Sequence, residues 1–169
     1  MSYPYAIRVA DGKVESPVMA KRVTDGPELS VKKNYCFGCG SDNPDSMRLK
    51  FTYDKKRGRV VCRLRLAPRF AGPPGYAHGG IIATILDEAM AKLNKLHDVT
   101  AVTGQLAVDY LRPVPLGQLL RIEAREGDIK GRRRFREGEI VNKNGEVLAR
   151  GTGVFITIDP GKIFSRPRR

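Results

Sequence analysis

One helical segment stands among a series of strand-like segments, and this arrangement limits the folds open to the chain. Apolar residues recur three and four positions apart from Gly79 to about His97, a spacing that predicts one amphipathic helix. Two strand-like segments precede this helix and four follow it, each bounded by Gly, Pro or Asn-Gly. The sequence therefore predicts the order β-β-α-β-β-β-β, an α+β domain in which one long central helix packs against an antiparallel sheet of about five to six strands.

The strand signals before and after the helix differ in kind. Residues 47–53 and 59–66 alternate between apolar and polar side chains, and the turn DKKRG between them predicts a hairpin. After the helix, Asn144-Gly145 is a strong hairpin signal between the last two strands. The long loop APRFAGPPGYAHGG joins the first hairpin to the helix, and loops this rich in Gly and Pro often hold ligands.

Composition and charge divide the chain into three regions and narrow its partners. Residues 1–34 are predicted to be an N-terminal extension, residues 35–160 the folded domain, and residues 161–169 a basic tail. A net charge of +13 favours anionic partners, but no nucleic-acid-binding signature accompanies it, so nucleic acid is not an expected partner. No apolar segment is long enough to span a membrane, and no signal peptide is evident, so the predicted location is the cytoplasm.

Two adjacent acids lie in the middle of the predicted helix on different faces. Glu88 has Lys92 four positions later, which predicts a salt bridge on a solvent-exposed face. The face of Asp87 carries small residues, namely Gly80, Ala83, Thr84, Ala91 and Asn94. Small side chains let another backbone or a ligand come close, so desolvation is expected to raise the pKa of Asp87 and suit it to act as a general base or nucleophile. A surface position or a core hydrogen bond is the alternative for a mid-helix Asp.

His78, Gly79 and Gly80 stand where this helix begins. The first N–H groups of a helix have no intrahelical partners, and glycine there lets a substrate carbonyl reach them as an oxyanion site. His78 is expected to cap or orient this turn, or to hold the loop as a structural residue. Gly79 and Asp87 are separated by about 12 Å of helix rise, too far to act on one bond. The spacing therefore predicts a dimer whose two sites each combine Gly79 of one chain with Asp87 of the other.

The segment HGGIIATILDEAM, followed by YLRPVPLG and EVLARGTGVFI, resembles the hotdog-fold thioesterase superfamily, and within it the PaaI-like branch. The likeness extends over roughly residues 34–158, and CFGCGSDNP is similar to the opening segment of many members. The resemblance implies the hotdog fold, in which an antiparallel sheet wraps around a long helix. It also implies an acyl-CoA thioesterase, which hydrolyses the thioester to free acid and coenzyme A and needs no cofactor besides the coenzyme A of its substrate.

The resemblance assigns roles to individual residues. The position of Asp87 holds the general base or nucleophile, and the N–H at the position of Gly79 polarises the thioester carbonyl. His78 and Gly80 belong to the same motif beside the substrate. Thr103 matches a Ser or Thr that lies beside the catalytic water on the strand after the helix. Relatives build the site across a dimer, and their dimers often pair again, so a homodimer or homotetramer is expected.

Basic residues near two strand ends are candidates for the nucleotide part of coenzyme A. This ligand carries a pyrophosphate and a 3′-phosphate, and arginine binds phosphate through bidentate, charge-assisted hydrogen bonds. Arg112 ends the strand after the helix, and Arg132 and Arg133 follow Gly131 at a hairpin. These three arginines are the predicted phosphate ligands, and an exposed strand arginine is the alternative for each.

The cysteines bear on compartment and on metal binding. Cys36, Cys39 and Cys62 make an odd count, which argues against a disulfide framework. Cys36 and Cys39 form one C-x-x-C pair, whereas a structural zinc site usually needs four ligands. The sequence therefore favours a plain turn with two small buried thiols over a zinc site, and no metal is predicted.

A second function remains open beside thioester hydrolysis. Many members of the family carry an Asn or Gln in the loop before H-G-G, where this chain has Ala71 or Gly72. The missing amide favours a non-catalytic hotdog module that binds acyl-CoA or an acyl ligand, whereas the acid at Asp87 favours the enzyme.

Overall fold

The computed structural model describes residues 34–54 and 56–159, except for the side chains of Leu96 and His97. The predicted extension, apart from its last residue, and the predicted basic tail lie outside these residues. Within the described ranges, no helix has the length and apolar character needed to cross a membrane.

Six strands form one antiparallel sheet, and a single long helix packs on it. Along the sheet the strands follow the order β1-β2-β4-β5-β6-β3, so β3 is an edge strand although it comes third in the chain. This arrangement confirms the predicted α+β fold and the predicted element order. The elements are β1 Thr52–Asp54, β2 Arg59–Arg65, α1 Gly79–Lys92, β3 Ala101–Tyr110, β4 Leu119–Lys130, β5 Arg133–Val141 and β6 Val147–Thr157.

Helix α1 lies in a trough of the sheet because β5 and β6 carry glycines beneath it. A Cβ added at Gly138 or Gly151 would stand 3.3 Å from the side chain of Leu86, a tight contact, so glycine at these positions lets the helix pack closely on the sheet. The helix continues as a short 3-10 segment, Leu93–His97, as the spacing predicted. Its buried apolar residues are Ile82, Ile85, Leu86, Ala89, Met90 and Leu93.

The basic run Lys130–Arg136 divides between the two faces of β5. Arg136 is buried and donates to the carbonyl of Met90 at 2.9 Å, near the end of the helix. The carboxylate of Glu126 lies 3.3 Å from Arg136 and 3.6 Å from Arg134. Strand alternation therefore directs Arg134 and Arg136 to the same face of β5, and the buried Arg136 fixes the helix to the sheet.

The loop that begins at Asn34 packs on the helix and covers Glu88. The Cys36 thiol donates to Glu88 Oε1 at 3.0 Å, and Lys92 Nζ lies 4.0 Å from Glu88 Oε2. The side chains of Glu88 and Lys92 are only 15% and 8% exposed. The i,i+4 pair forms as predicted, but the predicted solvent face was wrong, because helix periodicity does not reveal that a distant loop covers this face.

The C-x-x-C pair forms a turn whose two thiols point at the helix. The Gly40 N–H donates to the Cys36 carbonyl at 2.8 Å, and Lys92 Nζ lies 2.9 Å from Cys39 Sγ. Burial, reinforced by the carboxylate of Glu88, raises the pKa of the Cys36 thiol to about 11, although the Cys39 N–H acts in the opposite direction. Both thiols are free and half-buried.

Candidate active site

The N-terminus of α1 is capped by the histidine of the H-G-G motif. His78 Nδ1 accepts a hydrogen bond from the Gly80 N–H at 3.0 Å, and its carbonyl accepts from the Ile81 N–H at 3.0 Å. This is the capping arrangement that the sequence predicted for His78. In the part of the chain that the structure describes, the Gly79 N–H donates to no other group. Gly79 is therefore the position where a ligand carbonyl can use the helix terminus.

Tyr110, which the sequence analysis did not single out, lies against this terminus. Its hydroxyl donates to the Gly79 carbonyl at 3.2 Å, and its ring lies 3.6 Å from where a Cβ on Gly79 would stand. The ring is 56% exposed, so one of its faces beside the glycine is open to a ligand or to another chain. An aromatic residue ending the strand after the helix was the available signal, but only the strand register shows which helix residue it reaches.

Asp87 lies two turns further along the helix and faces the other end of β3. The Thr103 hydroxyl donates to Asp87 Oδ1 at 2.7 Å, which brings together two of the predicted site residues. Burial raises the pKa of the Asp87 carboxyl, the Thr103 hydrogen bond lowers it, and the charge of Glu88 raises it, with a net upward shift. The predicted upward shift and its predicted cause, desolvation, are both confirmed.

A β-bulge directs both contact residues of β3 at the helix. Thr103 pairs with Phe155 and Gln105 with Val154, so Gly104 is an extra residue between two paired positions. In a regular strand, residues an odd number apart point to opposite faces. The bulge reverses this alternation, so that Thr103 and Tyr110 both reach α1.

Three predicted site residues and Tyr110 form two groups at opposite ends of β3. Gly79 and Tyr110 lie at one end, and Asp87 and Thr103 lie at the other. About 12 Å of helix separates Gly79 from Asp87, so one chain presents two half-sites rather than one complete site.

The predicted phosphate ligands divide in the same way. Arg112 follows β3 at the Gly79 end, and its N–H donates to the Leu148 carbonyl at 2.9 Å. Arg133 pairs with Ile156, and the Arg132 carbonyl accepts from the Thr157 N–H at 2.8 Å, which places both at the Asp87 end. All three side chains are exposed, and the length of β3, about 30 Å, keeps Arg112 apart from the other two within one chain.

Gly72 is one of the two positions where the family's loop amide is expected, and it is tightly packed. The Gly72 N–H donates to the Tyr76 carbonyl at 2.9 Å, and the His78 N–H donates to the Phe70 carbonyl at 2.9 Å. A Cβ on Gly72 would lie 2.9 Å from His78 Cα, closer than real Cβ atoms approach. An Asn or Gln at position 72 would therefore require the capping histidine to move.

Comparison with known proteins agrees with this architecture. The sequence profile of the Thioesterase superfamily matches residues 74–149. Acyl-coenzyme A thioesterase THEM4 of Xenopus laevis is 34% identical over 109 residues, which are 64% of this chain and 49% of that protein. This chain spans about half the length of the curated relatives it matches.

Two solved structures share the fold. BH2602 of Bacillus halodurans, solved with CoA, is 32% identical and has a TM-score of 0.58, over 64% of this chain and 73% of that one. The PaaI protein of Escherichia coli, from the phenylacetic acid degradation operon, has a TM-score of 0.57 at 24% identity, over 60% of this chain and 74% of that one. With its helix capped by H-G-G and its six-stranded sheet, the chain belongs to the hotdog-fold thioesterase superfamily, as the resemblance predicted.

Proposed function

We propose that this protein hydrolyses acyl-CoA thioesters to a free acid and coenzyme A, with Asp87 as the general base or nucleophile. The observation that carries the proposal is the partly buried Asp87 carboxylate, held by Thr103 at 2.7 Å beside an open strand edge in a chain of the thioesterase superfamily. Desolvation of a carboxylate makes it more basic and removes competing water, and both effects favour attack on a thioester or activation of one water.

The other residues of the two half-sites have separate roles in the proposed reaction. The Gly79 N–H donates to the thioester oxygen, where negative charge develops as the tetrahedral intermediate forms. His78 holds the helix terminus in shape through its bond to Gly80. Thr103 orients the Asp87 carboxylate and, through the same hydroxyl, can contact the attacking water. With Asp87 as the base, its carboxylate takes a proton from the attacking water, the C–S bond of the tetrahedral intermediate breaks, and this proton passes to the departing thiolate of coenzyme A.

The complete site is proposed to form between two chains that pair through β3. This edge strand and the residue after it expose Val102, Tyr110 and Leu111 at 46%, 56% and 52%. A two-fold axis beside β3 would place the Asp87 end of one strand opposite the Gly79 end of its partner. Asp87 of one chain would then share a site with Gly79 of the other, which the 12 Å helix separation requires.

The same pairing would unite the divided arginines. Arg132 and Arg133 of the chain that supplies Asp87 would lie near Arg112 of the chain that supplies Gly79. Three guanidinium groups suit the pyrophosphate and 3′-phosphate of coenzyme A.

Replacing Arg132 and Arg133 by Ala should raise KM for acyl-CoA more than it lowers kcat, because phosphate contacts of this kind mainly stabilise binding. Exposed Arg57, in the turn between β1 and β2 and far from β3, supplies the control variant. If an acyl-pantetheine substrate without the nucleotide suffers equally, these arginines do not hold the phosphates.

A panel of acyl-CoA substrates, monitored by release of free thiol, tests the proposed activity. Turnover of at least one chain-length or aromatic class by the full chain supports it. The alternative, a module that binds acyl-CoA without hydrolysing it, is favoured by the packing of Gly72, which leaves no room for an amide side chain. Saturable acyl-CoA binding without thiol release across the panel would establish that alternative instead.

Mixing two inactive variants tests the shared site. Chains with Asp87→Asn and chains with Gly79→Val should each be inactive alone. After subunit exchange, about a quarter of wild-type activity should return, because half of randomly paired dimers are mixed and each has one intact site. Mixed dimers that form but stay inactive would show that the site does not combine these residues.

The cytoplasm remains the proposed location. A relative from Candida albicans, 26% identical over 136 residues, is named a mitochondrial protein, so fractionation of cells is the direct test.

A further inference from the structure

A cluster of chemically reactive side chains lies on the far side of α1 from the strand that contacts Asp87. It consists of Cys36 and Cys39 from the first loop and Glu88 and Lys92 from the helix, and we call it the thiol cluster. We propose that Cys36, Cys39 and Glu88 bind a zinc ion, with a water molecule in the fourth position. The sequence analysis predicted no metal because it found one C-x-x-C pair, whereas a structural zinc site usually needs four ligands.

The positions of the three ligand atoms suit tetrahedral zinc. The two sulfur atoms and a carboxylate oxygen of Glu88 all lie within 4.8 Å of one another, and Cys36 Sγ is 3.0 Å from Glu88 Oε1. Zinc bonds of about 2.3 Å to sulfur and about 2.0–2.2 Å to oxygen require ligand atoms about 3.5–3.8 Å apart. Side-chain rotations that move these ligand atoms by about an ångström therefore bring them to the bonding distances.

Charge balance favours the metal-bound form. Two neutral thiols, one carboxylate and one ammonium sum to zero. When Zn²⁺ binds, the two thiols release two protons, and the cluster of two thiolates, one carboxylate, one ammonium and Zn²⁺ again sums to zero. Lys92 Nζ, 2.9 Å from Cys39 Sγ, then donates a hydrogen bond to a zinc-bound thiolate. A half-buried site thus accepts a divalent cation without leaving net charge in a low-dielectric region.

The loop is shaped to present these sulfur atoms. A Cβ on Gly38 would overlap the side chain of Glu88, and a Cβ on Gly40 would overlap the backbone of Asn34 and Cys36. Asn34 also accepts from the Cys36 N–H at 2.9 Å and donates to Cys39 Sγ at 3.3 Å. Hydrogen bonds of this kind orient metal ligands in established sites.

Zinc here would fix the first loop to the helix that carries Asp87. Glu88 follows Asp87 directly, so a bond from Glu88 to the metal restricts rotation and sliding of this helix turn. The proposed role of the metal is therefore to hold this loop on the helix, and its binding is measurable without any assay of thioester hydrolysis.

The test uses the full chain, reduced, stripped with a chelator and then loaded with zinc or cobalt. We expect one tightly retained zinc per chain, a rise in Tm on loading, and a sulfur-to-cobalt charge-transfer band. Cys36→Ser and Cys39→Ser should each lose retention and weaken the band, whereas Cys62→Ala, at a buried cysteine outside the cluster, should preserve both. Glu88→Gln should keep the band and lower zinc affinity at least about tenfold.

Two results would overturn the proposal. Wild-type protein that retains no zinc, shows no charge-transfer band and has the same Tm with and without metal does not contain the site, whatever the variants do. Unchanged zinc affinity in Glu88→Gln would remove Glu88 from the ligand set. Because the wild-type measurements stand alone, a variant that fails to fold does not prevent a decision.

Discussion

Asp87 and Glu88 are neighbours on one helix turn, about 100° apart around the axis, yet their surroundings are opposites. Asp87 faces edge strand β3 and accepts one hydrogen bond from Thr103. Glu88 faces the first loop, where the Cys36 thiol and the Lys92 ammonium enclose it at 15% exposure. The Asp87 carboxylate therefore lies beside a surface that another chain or a ligand can reach, whereas the Glu88 carboxylate is enclosed by its own chain.

The difference shows that partners, rather than residue type, determine what a helix acid can do. Glu88 has the Lys92 ammonium and the Cys36 thiol beside it, and these two groups hold its carboxylate between the helix and the first loop. Asp87 has a single hydroxyl donor and an upward-shifted pKa, so its negative charge is incompletely compensated. A carboxylate in that state is available for chemistry, whereas one held by a cation is not.

The largest expected effect separates the two acids in catalysis. Asp87→Asn should lower kcat for thiol release by about 10²–10⁴-fold, the usual contribution of a positioned base. Glu88→Gln should keep most of the activity, since its carboxylate points away from β3. The measurement is steady-state thioester hydrolysis by each variant, with circular dichroism to confirm that both are folded.

Equal losses from Asp87→Asn and Glu88→Gln would break this comparison. They would mean that the acids act through a shared structural effect on the helix. A loss confined to Glu88→Gln would reverse the assignment of the base.

The second expected effect concerns stability, and its sign is opposite for the two acids. In metal-free protein, Glu88→Gln leaves the Lys92 ammonium buried without its carboxylate, which should cost about 1–3 kcal/mol of unfolding free energy. Asp87→Asn should leave stability unchanged or increase it at pH 7. A carboxyl whose pKa is raised on folding destabilises the native state wherever it is ionised in both states.

The pH dependence provides the control for this stability difference. Any stabilisation by Asp87→Asn should be present above the raised pKa of the folded protein and disappear as pH falls below the ordinary aspartate value of about 3.9. Thermal unfolding across that range measures it. A variant that is less stable than wild type at pH 7 would indicate that Asp87 is a structural carboxylate like Glu88.

The sequence predicted the fold and the Asp87 half-site for reasons that are local. Helical spacing and strand alternation are patterns within short segments of sequence. The small residues on the helix face of Asp87 can be read from the same helical spacing. What covers Glu88 depends on a loop some 50 positions earlier in the chain, and contacts at that separation leave no periodic signal. Tyr110 was missed for a related reason, because the bulge at Gly104 sets which β3 side chains face the helix.

The smallest expected effect tests how Asp87 is tuned. If Asp87 acts as the ionised base, kcat/KM rises with pH as its carboxyl loses a proton. The acid limb of this profile, the pH range over which kcat/KM rises, should lie above the ordinary aspartate range because burial raises the pKa of Asp87. Thr103→Val removes the one hydrogen bond that lowers this pKa, so the limb should move to still higher pH. Thr103→Ser keeps the hydroxyl and should leave the limb where it is. A limb that does not move in Thr103→Val, or moves equally in both variants, would show that the hydroxyl does not set the ionisation of Asp87.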